Sequence, residues 1–146
     1  MRSVFVFPAG ERAETVTLLD HHGVRQDVSW TVADCLYVSV DDERGGYLFV
    51  DWEADDVALV AAALGYHPTW AVQVDISGRV DGTTEVRQLV LLLLERGGVA
   101  VDDYCAHAWT RQEVESGAVI DGLRFFDFRT YYERRRATGT GPDSPG

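Results

Sequence analysis

Apolar positions along this chain switch between a period of two and a period near three and a half, which predicts a mixture of strands and helices. Residues 3–7 form a short apolar run closed by Pro8-Ala9-Gly10 and read as a strand. Residues 15–19 are assigned to a strand on their β-branched content and the alternation of Val16 and Leu18. Ala13, Val16 and Leu19 also stand three apart, so a helix over residues 11–20 is the competing reading. Asp20-His21-His22-Gly23 reads as a turn and residues 24–30 as a returning partner strand. Residues 35–40 and 47–52 flank the acidic Gly-Gly turn 41–46 and predict a β-hairpin.

The period then lengthens. Val57, Val60, Ala61 and Leu64 recur at helical spacing, with Asp55 and Asp56 in the first turn and Gly65 just past the end. Trp70, Val72, Val74 and Ile76 alternate as a half-buried strand. Val86, Leu89, Val90, Leu93 and Leu94 form the strongest helical stripe. Asp81 or Thr83 can cap that helix and Gly97-Gly98 end it, while Leu91 and Leu92 fall off the stripe. Its breadth of apolar surface predicts burial or an interface. Residues 99–101 are a short strand, and Thr110-Arg111-Gln112-Glu113 matches the capping box that opens a short helix to about Ser116. Trp109 can then act as a staple on Val114. Residues 120–128 read as a last strand or a surface segment, and residues 131–136 as a final helical turn. The expectation is an α+β fold. Mainly antiparallel strands fill the N-terminal part, with two main helices packed on one sheet and a short third helix. One domain is expected over residues 1–136 and a disordered tail over 137–146.

Charge changes the picture most. The 146 residues carry 24 acids against 13 bases, all of them arginine, for a net charge of −11. That balance repels nucleic acid and anionic membranes and suits a basic partner or simple solubility. The N-terminal apolar run is too short for a signal peptide and the run 89–94 too short to span a bilayer, so a cytoplasmic protein, monomeric or homodimeric, is expected. Cys35 and Cys105 form no C-x-x-C pair and read as buried small apolar residues.

The candidate chemistry is sparse. No nucleophile elbow, phosphate-binding glycine loop, dinucleotide fingerprint or paired-histidine zinc motif is present, and no cofactor is expected. Between Asp34 and Asp56 stand Asp34, Asp41, Asp42, Glu43, Asp51, Glu53, Asp55 and Asp56 against Arg44 alone. Such a run is either a solvated turn followed by a dipole-matched helix start or a surface that meets a cationic groove. On the second reading the contact residues are Asp41, Asp42, Glu43, Tyr47, Asp51, Trp52, Glu53, Asp55 and Asp56, with Tyr47 and Trp52 as aromatic anchors. Asp102, Asp103 and His107 are the alternative, a divalent-metal set for a small hydrolase, since two carboxylates and an imidazole in one loop are ligand types. His21 and His22 read as exposed turn residues. Arg134-Arg135-Arg136 is too short a basic run to hold nucleic acid.

The stretch Gly97-Gly98-Val99-Ala100-Val101-Asp102-Asp103-Tyr104, followed by Trp109-Thr110 and Glu113-Val114, resembles small bacterial proteins of the polymorphic-toxin immunity type. The shared pattern is an apolar helix running into a short strand, an Asp-Asp loop, and Trp-Thr-x-x-Glu opening a helix. The resemblance covers residues 83–116. It implies a cytosolic protein that binds and neutralises one toxin domain, and it transfers no binding residue.

Overall fold

The computed structural model describes residues 2–46 and 48–139. Its elements run β1 (Arg2–Pro8), α1 (Arg12–His22), β2 (Val24–Gln26), β3 (Ser29–Val32), β4 (Leu36–Asp42), α2 (Ala54–Leu64), β5 (Trp70–Ile76), α3 (Thr83–Leu93), β6 (Gly98–Asp102), β7 (Trp109–Thr110), α4 (Arg111–Ser116) and α5 (Phe128–Gly139). The strands form one sheet in the order β2-β3-β4-β5-β1-β6-β7, every neighbouring pair antiparallel. This is a mixed α+β fold, and no helix among the described residues is long and apolar enough to cross a membrane.

Strand alternation sorts the core onto two faces. Val4 and Val6 of β1, Val38 of β4 and Val72, Val74 and Ile76 of β5 share one face. That face buries Leu19 of α1 and Val86, Leu89, Val90 and Leu93 of α3 in the main core. Each such side chain contributes roughly 1.5–3 kcal/mol when fully buried. Phe5 and Phe7 point the other way. They join Val99, Val101 and Ala71 in a second core beneath Leu59, Val60 and Leu64 of α2 and the turn 48–52.

The hairpin expected over residues 35–52 does not form. β4 continues through Asp42 and pairs with β3 and β5. Beyond it Gly46, Phe49 and Asp51 have φ of 77°, 60° and 64°, which an extended strand cannot hold. The chain instead folds over the sheet, because Leu48, Phe49 and Trp52 bury themselves on Phe5 and Phe7. Residues 15–19 are helical rather than extended. The Glu11 N–H donates to Glu14 Oε1 at 2.9 Å, opening α1, and Thr15 and Leu19, one turn apart, face the core. His21 and His22 close that helix at its negative end instead of forming a turn. Residues 24–30 hold a hairpin corner of their own, with Asp27 at φ 58° between β2 and β3. Residues 120–128 contribute only an isolated bridge between Ile120 and Leu123. The last helix begins at Phe128 and continues past the expected tail boundary to Gly139.

The expected strand 70–76, the helices begun by Asp55-Asp56 and Thr83, and the capping box at Thr110 are all present. Asp81 assists α3 by accepting the Thr83 N–H at 3.0 Å. Trp109 and Val114 share the main core, as a staple requires. Leu91 packs on that core from its half-buried edge.

Candidate functional site

A cleft of about 410 Å³ opens where the second core reaches the surface. Phe5 of β1 and Val101 of β6 line it, both from the sheet face that α2 covers. One wall is Asp51, Trp52 and Glu53, followed by Asp56 and Leu59 of α2. The other is the loop after β6, residues 102–106, with Tyr131 of α5.

Packing fixes the aromatic wall. Trp52 stands edge-on to Phe5 at 5.1 Å and to Phe7 at 5.9 Å, and Phe49 lies 5.1 Å from Trp52. This aromatic cluster holds the left-handed backbone at Phe49 and Asp51, a conformation that costs an L-residue about 1 kcal/mol or more. The opposite wall hangs on Asp102. Its Oδ1 accepts the N–H groups of Tyr104 at 3.0 Å and Cys105 at 3.1 Å, and its Oδ2 accepts that of Phe126 at 2.7 Å. Burial raises the Asp102 carboxyl above its ordinary value, although these amides pull it down.

Among the described residues, none of Asp51, Glu53, Asp56 and Asp103 makes an ion pair. The Asp103 carboxyl is pushed up first by burial and also by Asp75, while the Ser3 N–H pulls it down. The Cys105 thiol is likewise pushed up, by burial and by Asp102 and Asp121, so it is a poor nucleophile. Cys35 is half-buried rather than buried, and its thiol is raised by burial too. The arrangement therefore favours an arriving cation: carboxylates beside an aromatic side chain can pair with guanidinium or ammonium groups.

The acidic residues expected to form one surface divide in two. Asp51, Trp52, Glu53 and Asp56 line the cleft, and Asp55 is exposed in the first turn of α2 outside its lining. Asp42 lies 3.8 Å from Arg12 and accepts the Gly45 N–H, and Glu43 lies 3.9 Å from His67. Those two occupy a shallow recess with Arg12 and Arg44, where the charges largely cancel. Asp41 is half-buried opposite Ala71 at the margin of the second core, its carboxyl pushed up by burial and then by Asp75 and Asp42. Asp34 is in the β3–β4 turn at φ 62°. Tyr47 lies outside the described residues.

Asp102, Asp103 and His107 do not assemble as a metal set. Asp102 is engaged by three amides, and the His107 Nε2 lies 3.0 Å from Glu113 Oε1. Burial raises Glu113, yet the Thr110 amide and His107 hold its carboxyl below the usual range. No group of three or more such ligands stands together among the described residues. What the sequence reading missed is that Asp103 joins the Asp51–Asp56 segment across the cleft, and that Phe5 underlies both. The signal for Phe5 was present: β1 is apolar on both faces, so both must be covered.

Comparison with family models, with curated proteins and with solved structures gives no significant match to this chain.

Proposed function

We propose that this chain is a non-catalytic, acidic protein-binding module of the immunity kind, which receives cationic side chains of a basic partner in the cleft between α2 and the β6–β7 loop. The carrying observation is the convergence of Asp51, Glu53, Asp56 and Asp103 on one cleft beside Trp52, without an arginine among its lining residues. An isolated ion pair on an open surface contributes only about 0–1 kcal/mol. Several carboxylates around one partly enclosed guanidinium escape that limit, because water screens them less. The net charge of −11 supports the same reading, since it accelerates encounter with a basic protein. A basic toxin domain is the natural occupant on this reading.

The test is calorimetric titration with a nona-arginine peptide, comparing the wild type with the triple variant Asp51→Asn, Glu53→Gln, Asp56→Asn. The variant is expected to bind about tenfold or more weakly, consistent with loss of an interfacial hot spot. Equal affinities would overturn the cleft as the recognition site. For the neutralising role, the protein is co-expressed with a basic toxin domain. Survival of cells with the wild type and death with the triple variant is the expected pair of results.

A further inference from the structure

The sheet is covered unequally. On the face that carries Phe5, α2 and the turn 48–52 cover β1, β6 and the Ala71 end of β5, while Thr31, Tyr37, Ser39, Gln73 and Asp75 of β3, β4 and β5 turn polar or partly exposed side chains outward beyond that cover. A lateral row crosses the sheet: Asp103 accepts the Ser3 N–H, and register sets Ser3 opposite Asp75, Asp75 opposite Tyr37, Tyr37 opposite Thr31, and Thr31 opposite Val24. At about 4.8 Å per strand the row spans roughly 24 Å, close to the width of one standard protein interface. It begins at the acidic cleft, because Asp103 belongs to both.

Two features separate this face from an ordinary solvated one. Tyr37 is 44% exposed and Val24 66% exposed, large side chains left uncovered in a row of polar neighbours. The sheet's own two arginines both point to the opposite face, Arg2 lying over Phe126 and Phe128 and Arg25 over Trp30. Asp41, Asp75 and Asp103 therefore share a face on which no strand residue is cationic, and among the described residues none of the three makes an ion pair.

We propose that a basic protein partner docks flat across this open half of the sheet, with an arginine stacked on Tyr37 and paired to Asp75. The proposal rests on the reading of the chain as an acidic protein-binding module and names the footprint of that partner. Tyr37 and Asp75 are directly opposite on neighbouring strands, where Cβ atoms stand about 4.5–5.5 Å apart, so one guanidinium can cover the ring and reach the carboxylate. Asp75 is already oriented for this, since its Oδ1 accepts from the Ser3 hydroxyl at 2.6 Å and from Gln73 Nε2 at 3.1 Å. A second copy of the chain is not the occupant, because like-charged faces would meet. The Asp103 carboxyl, raised first by burial and also by Asp75, agrees with these two acids standing on either side of Ser3 in the row.

The experiment is amide chemical-shift mapping of the full chain with the nona-arginine peptide, using a nona-serine peptide as control. It is paired with binding measurements on Tyr37→Ser and on Asp75→Asn. The expected result is salt-sensitive shifts at Thr31, Tyr37, Ser39 and Asp75 and about a tenfold loss of affinity in each variant. Shifts confined to the cleft, with both variants binding like the wild type, would overturn this footprint and leave the cleft reading intact. No salt-sensitive shift anywhere would overturn both.

Discussion

Asp102 shows what one buried carboxylate does for a loop. It is 6% exposed, yet its charge is met by the amides of Tyr104, Cys105 and Phe126 rather than by a cation. Phe126 stands at φ 58°, and its N–H bond to Asp102 helps hold that left-handed backbone in place. The residue singled out in the sequence as a ligand is thus a clamp between the β6–β7 loop and the segment before α5. Replacing Asp102 by Asn should leave an amide NH₂ facing the Phe126 N–H. The expected cost is about 2–3 kcal/mol of stability, measured by urea unfolding, because hydrogen bonds to a charged group are the strong ones. A stability equal to wild type would mean that the loop holds itself. Peptide binding in the cleft should weaken in parallel, since Asp103 is carried by the same loop.

At the level of elements, local chemistry was legible wherever one residue type decides a boundary. Thr110 and Glu113 cap α4, Gly65 at φ 84° ends α2, and the alternation from Trp70 to Ile76 is a strand. It failed where two signals competed. The helix α1 is opened by Glu11 and Glu14, an acidic version of a cap more often written with Ser or Thr, and its β-branched residues pointed to a strand. The false hairpin at residues 35–52 had a good turn between two apolar runs, but the second run is needed to cover Phe5 and Phe7, which only the tertiary fold reveals. Half of the cleft was visible as an acidic segment. Its other half was not, because Asp103 lies some fifty residues away in the sequence. The paired glycines before β6 are a further case. They read as a helix end, yet Gly98 is the register partner of Pro8 at φ 109°, and a Cβ there would lie 2.1 Å from the Phe7 carbonyl oxygen. Gly98→Ala should separate β1 from β6 and lower stability by about 3 kcal/mol or more, read as a fall in the thermal midpoint. An unchanged midpoint would show that the strand end yields freely.

Across the whole molecule, carboxylates push stability in opposite directions as pH changes. Asp41 and Asp103 have folded values above their ordinary 3.8, so their charged forms are disfavoured in the fold. That penalty is full at neutral pH and is relieved as pH falls through the raised values. Asp81 is the reverse. Its hydrogen bonds with Thr83 and the adjacent Arg129 lower it from 3.8 to about 2, so its contribution is full above about pH 4 and lost as pH falls toward 2. Thermal melts should therefore show the midpoint rising slightly on mild acidification and then dropping, and Asp81→Asn should flatten the drop below about pH 4. A variant with the wild-type acid limb would assign that limb to other groups. The order of the strands carries one more implication. β1 lies between β5 and β6, so Val4 must wait for Val74 and Val6 for Ala100 before either edge of that strand is satisfied. Until some seventy further residues have left the ribosome, the apolar stretch at residues 3–7 has neither of its sheet partners. The chain should therefore fold late and all at once, and it is in that interval, rather than in the finished protein, that it is most exposed to sticking to its neighbours.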